Sequence, residues 1–129
     1  MSIELTLLIW SPVLVGLYIT VQSALYRVQH GIQFAASGRD GEAPPNVWNS
    51  RAEKALRNLL ETYAVFVALA VATELSGRAD ALTAWGAQLY FWSRIVYLPL
   101  YLFAVPYVRS LVWLVSALGL GLLFIGVAF

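Results

Sequence analysis

Four apolar segments organise the chain, and polar residues interrupt them in an uneven way. Residues 5–25 and 110–129 run without a charge, and residues 81–108 carry only Arg94. A bilayer core takes about 20 residues of helix, so each of these segments predicts a membrane span. The remaining segment, residues 62–73, is too short alone. It reaches spanning length only if its helix starts near Asn49 and takes the charged stretch RAEKALRNLLE with it. The pattern predicts an all-α integral membrane protein, a four-transmembrane-helix bundle in one domain, 1–129. Its spans are expected at about 4–28, 49–75, 80–103 and 107–128.

The connections carry the residues that stop helices. HGIQFAASGRDGEAPPNVWNS is rich in Gly, Ser, Asp and Pro, and Pro44-Pro45 excludes helix at that point, so 29–48 reads as a loop. Asn49 or Ser50 is the expected N-cap of the second span, with Glu53 completing a capping box. Ser76-Gly77 ends that span, and Val105-Pro106-Tyr107 breaks the third from the fourth. The basic residues then set the orientation. Arg27, Arg39, Arg51, Lys54, Arg57 and Arg109 fall on one side and Arg78 alone on the other. This places the long loop in the cytoplasm and both termini on the non-cytoplasmic side.

Composition narrows the chemistry. Hydrophobic residues make up 60% and charged residues 12%, which leaves too little polar surface for a soluble domain. A net charge of +1 gives no footprint for nucleic acid. With no cysteine and one histidine, disulfides, thiolate metal sites, cysteine nucleophiles and a His-rich metal site within a single chain are excluded, and no metal is expected.

The polar residues of the second and third spans form two faces. On a helix, Lys54, Arg57, Asn58 and Glu61 share about one third of the circumference, with Arg51 at the edge. Ala64, Val65, Ala68 and Ala72 continue the arc and suit close approach of another helix. This arc is expected to face protein or a cavity. Tyr90, Arg94, Tyr97 and Tyr101, spaced 4, 3 and 4 apart, share a face of the third span. Arg94 lies far from either end of its segment and needs a partner, for which Glu61 is the candidate. Arg51 and Lys54 also read as cytoplasmic anchors, Arg27 as a snorkelling residue, His30 as a solvated loop residue, and Tyr90 and Tyr107 as packing or interface aromatics. Gln22 either hydrogen-bonds across helices or reaches the site. The Arg, Asn, Glu and Tyr together suit a small ligand with two carboxylates and an amine, because guanidinium recognises carboxylate bidentately.

Arg57-Asn58-x-x-Glu61, preceded by Arg51 and Lys54, resembles the second-helix signature of the MAPEG family, the membrane-associated proteins of eicosanoid and glutathione metabolism. The resemblance extends to Arg94-x-x-Tyr97-x-x-x-Tyr101 and to Pro106-Tyr107-Val108-Arg109-Ser110. It implies a homotrimer of four-helix subunits in a bacterial inner membrane or the endoplasmic reticulum. Glutathione would bind between neighbours near the cytoplasmic leaflet. Arg51, Lys54, Arg57, Asn58, Glu61, Arg94, Tyr97 and Tyr101 would hold glutathione as co-substrate, and Arg109 would activate its thiol. The implied function is a glutathione-dependent membrane transferase or peroxidase acting on an apolar electrophile or lipid hydroperoxide. The alternative is a noncatalytic lipid-binding scaffold or an accessory subunit of a larger membrane complex. An ion-coupled transporter is a weaker third reading, since no paired, broken half-helices occur.

Overall fold

Three long helices open in the same way. Ser2, Asn46 and Asp80 stand before them in extended backbone, and each side-chain oxygen accepts a backbone N–H three residues on. The computed structural model describes residues 1–129. The elements are α1 (Ile3–His30), α2 (Ile32–Ala36), α3 (Val47–Ser76), α4 (Ala81–Leu102) and α5 (Val108–Ala128). Of these, α1, α3 and α5 are long and apolar enough to cross a membrane. α4 has 22 residues, but Gln88, Arg94 and its tryptophans and tyrosines lower its hydropathy below that level.

The four long helices pack so that α3 and α4 each touch all the others, while α1 and α5 do not meet. The core between them is built from Leu14, Tyr18, Leu59, Phe66, Tyr90 and Leu123, with the Phe66 and Tyr90 rings stacked at 4.7 Å. Only 25 of 129 residues are buried, and Trp10, Val13 and Leu17 on α1 and Leu111, Leu114 and Leu118 on α5 face outward. Such an apolar exterior requires an apolar surrounding, as a membrane supplies.

Several polar groups of α1 are matched by side chains of its neighbours. Pro12 sits within α1 and has no N–H for the Leu8 carbonyl. The Ser11 hydroxyl donates to that carbonyl at 2.7 Å and shares a second hydrogen bond with the Tyr63 hydroxyl. At the end holding Ser2, the Thr83 hydroxyl completes a capping box with Asp80 and donates to the buried Glu4 carboxylate at 2.6 Å. The Ser2 hydroxyl donates to Glu74. These bonds fasten the start of α1 to α3 and α4.

Helices α4 and α5 form the most extensive pairing, and glycines make it possible. A Cβ added at Gly86 would lie 2.7 Å from the Gly119 carbonyl oxygen and the Leu123 nitrogen. One added at Gly119 would lie 2.7 Å from the Gly86 carbonyl oxygen and the Tyr90 nitrogen.

The loop region departs from expectation in three respects. α3 begins at Val47 with Asn46 as cap, not at Asn49 or Ser50. Asn46, in extended backbone after Pro44-Pro45, accepts the Asn49 N–H at 2.9 Å. Asn49 itself is buried and donates through Nδ2 to Gln29, which also accepts from the Asn46 N–H and donates to the Pro44 carbonyl. Gln29 thereby ties the loop to the end of α1. The loop also contains the short helix α2, set off from α1 by Gly31 at φ +86°. His30 is not a solvated loop residue. It is the last residue of α1, and its ring packs between Tyr26 and Phe34 at 4.4 and 5.4 Å.

Candidate functional site

At the end of the bundle where α3 and α5 begin and α4 stops, a cavity of about 400 Å³ opens. It is lined by Asn58 from α3, Tyr97 and Tyr101 from α4, and Arg109, Ser110, Trp113 and Leu114 from α5. That volume lies in the range of small-molecule sites.

Two guanidiniums and two phenol rings form a continuous ladder along it. The Arg94 guanidinium carbon lies 4.4 Å from the centre of the Tyr97 ring. Tyr97 meets Tyr101 edge-on at 5.6 Å, and the Arg109 guanidinium carbon lies 4.5 Å from the Tyr101 ring centre. Stacking of this kind orients each guanidinium while leaving its edge free to bond.

Arg94 is fully buried. Its Nη2 donates to the Asn58 side-chain oxygen at 2.8 Å, while its Nε and Nη1 are buried without a partner. A half-satisfied buried cation is costly. The expected partner, Glu61, does not serve: Glu61 is exposed, and the hydrogen-bonding partner of Arg94 is Asn58, one turn earlier on α3. The Tyr18 hydroxyl of α1 donates to the Arg94 backbone carbonyl and fixes the segment from a third helix.

Arg109 owes its position to the turn before it. Ala104 and Tyr107 adopt φ +50° and +61°, a left-handed region that costs a non-glycine residue about 1–2 kcal/mol. Strain of this kind persists where it positions functional groups. Ala104→Gly is expected to stabilise the protein by about 1 kcal/mol, read as a higher melting temperature in detergent. An unchanged or lower value would mean that the turn is not strained at Ala104.

The nine sequence candidates therefore divide. Asn58, Tyr97, Tyr101 and Arg109 line one cavity, with Arg94 directly behind them. Arg51 lies apart: its Nη1 donates to the last carbonyl of α4, Leu102, at 3.0 Å, and its guanidinium lies over Trp48. Lys54, Arg57 and Glu61 are exposed, as are Ala64, Val65 and Ala68 further along. The charged arc is thus not covered by the chain's own helices. Tyr90 is a packing residue, stacked on Phe66 and hydrogen-bonded to Thr62, and Tyr107 is 87% exposed. Sequence reasoning missed Tyr18 and Trp113. Both sit in uniformly apolar runs, and nothing local distinguishes a tyrosine that bonds a distant carbonyl from one at the membrane interface.

A helical bundle with three helices long and apolar enough to cross a membrane, and a cationic, tyrosine-lined cavity at one end, defines a small membrane protein with a built polar site. More narrowly, the chain belongs to the MAPEG family, whose model matches residues 7–129. Searches of curated proteins and of solved structures return no match.

Proposed function

We propose that this chain is a glutathione-dependent membrane transferase or peroxidase acting on an apolar electrophile or lipid hydroperoxide. It works as a homotrimer of four-span subunits, with α4 as the additional span. The observation that carries this reading is the fully buried Arg94, with two unpartnered nitrogens, behind a cavity that also holds Asn58, Tyr97, Tyr101 and Arg109. Membership of the family supports it. So does the exposed stripe of Lys54, Arg57 and Glu61. Charges facing lipid are costly, and a second copy packed along this helix would cover them.

In this reading Arg94 and Asn58 receive a carboxylate of the peptide, and Lys54, Arg57 and Glu61 engage its remaining charged groups at the subunit boundary. Arg109 stands beside the thiol and favours its ionised form, because a nearby cation stabilises thiolate. The Tyr97 and Tyr101 hydroxyls can donate to the same sulfur. The sulfur electron pair then forms a bond to the electrophilic carbon, and the leaving group departs with its own pair. With a hydroperoxide the sulfur takes the distal oxygen and the alcohol leaves. A second glutathione displaces water from the resulting sulfenic acid to give the disulfide. Trp113 and Leu114 supply the apolar wall for the other substrate.

The test combines binding and turnover on the purified protein in detergent. Glutathione at millimolar concentration is expected to raise the melting temperature by linkage. Arg109→Ala is expected to lower conjugation by about 100-fold, the scale of removing one donor to a developing anion, while keeping the thermal shift. A shift without turnover in the parent protein would favour a noncatalytic binding protein. Neither shift nor turnover would overturn the proposal.

A further inference from the structure

A second polar cleft, of about 300 Å³, lies at the same end of the bundle on the side of α1 and α2. It is bordered by Gln22, Ser23, Tyr26, Arg27, Ile32 and Arg39. It contains two guanidiniums, an amide and two hydroxyls, and no carboxylate lines it. The Glu42 carboxylate accepts the hydrogen bond of the Tyr26 hydroxyl.

Arg27 and Arg39 are twelve residues apart, and the fold brings both to this cleft. Arg27 is exposed on the last turn of α1, as a snorkelling residue would be. Arg39 is held by three restraints that a freely solvated arginine does not need. Its backbone sits at φ +60°. Its Nε donates to the Ala35 carbonyl at 3.0 Å. Its guanidinium carbon lies 4.2 Å from the centre of the Tyr26 ring. The chain thus fixes a second positive charge beside the first and leaves the terminal nitrogens of Arg39 available. The flank is apolar: Ile32, which lines the cleft, is 73% exposed, and Ile19, four residues before Ser23 on the same face of α1, is exposed as well.

We propose that the cleft between the end of α1 and α2 binds the phosphate headgroup of an anionic membrane phospholipid. Arg27 and Arg39 are its charge partners, Gln22 and Ser23 its hydrogen-bonding groups, and Ile19 and Ile32 the contacts of its acyl chains. Basic residues at the end of a membrane span attract acidic headgroups, and bidentate guanidinium contacts suit a phosphate diester. The exposed isoleucines favour a lipid over a free anion, because a free anion gains nothing from them. This site does not depend on the glutathione reading, and its test uses no glutathione.

The experiment is native mass spectrometry of the detergent-purified protein, offered equal amounts of phosphatidylglycerol and phosphatidylcholine. Phosphatidylglycerol is expected to be retained preferentially. Arg27→Gln, at an exposed position, should weaken retention about fivefold, and Arg27→Gln/Arg39→Gln about 25-fold. Arg78→Gln removes the same charge at the opposite end of the bundle and should leave retention unchanged. Equal retention of the two lipids, or undiminished retention in the Arg27→Gln single variant, overturns the proposal. A melting-temperature rise with inorganic phosphate equal to that with phosphatidylglycerol also overturns it, because the occupant would then be a free anion.

Discussion

Gly119→Ala is expected to destabilise the protein by about 3 kcal/mol and, under the proposed function, to abolish glutathione binding at the tyrosine-lined cavity. The added methyl meets the Gly86 carbonyl oxygen and the Tyr90 nitrogen at 2.7 Å and the Leu89 Cβ at 3.1 Å. The closest two atoms belong to the backbone of α4, so no side-chain rotation relieves the clash and the helices must separate. Overpacking of this kind costs about 1–3 kcal/mol, occasionally more, and a clash with rigid backbone belongs at the upper end. Separation also moves Arg109 and Trp113 on α5 away from Tyr97 and Tyr101 on α4, which together line the cavity. Gly86→Ala should behave alike, since its methyl would strike the Gly119 carbonyl and the Leu123 nitrogen. Gly121 is the control. Nothing lies within 4 Å of a methyl there, and alanine is the better helix former, so Gly121→Ala should melt at or slightly above the parent temperature. Equal melting temperatures for the Gly119 and Gly121 variants would refute the glycine seam.

Asn58 and Arg94 should show opposite sensitivities. Asn58→Leu removes the one side-chain oxygen that accepts from the buried Arg94 guanidinium, and is expected to cost about 3 kcal/mol, the range for stranding a buried charge. Arg94→Met removes the charge instead and leaves an apolar chain of similar length. Asn58 is only half-buried and borders the cavity, so water can satisfy it. That variant is expected to be as stable as the parent, or more so, because replacing a buried ion by a packed apolar group is often neutral or favourable. The double variant should recover most of the stability that Asn58→Leu loses. Additive losses in this cycle would show that the pair is not coupled. Under the proposed function Arg94→Met should also lose its glutathione-induced thermal shift despite its intact fold, which separates a binding role from a structural one.

The all-helical membrane character was legible in the sequence because it rests on apolar runs, which depend on local composition alone. The tyrosine spacing on α4 was legible for a similar reason: positions 90, 94, 97 and 101 share a face whatever surrounds the helix. Partner choice was not. Asn58 and Glu61 lie one turn apart on the same side of α3, and only the packing of α3 against α4 decides which of them meets Arg94. Charge pairing favoured Glu61, and geometry selected the neutral amide. The buried Glu4 was likewise invisible, because an acid at the start of a helix ordinarily complements the helix dipole. Its contact with Thr83 spans most of the chain. The folded-back segment of Gln29, His30 and α2 escaped notice because Gly and Pro mark a loop without showing how its ends are held.

The glycine contacts between α4 and α5 lie toward the end of the pair remote from Arg109, while the cavity opens near the turn that joins them. The pair is built like tongs, gripped at the base and parted at the tips. A guest can be admitted by spreading the tips alone, with the base left closed, so rigidity of the bundle and access to its interior do not compete.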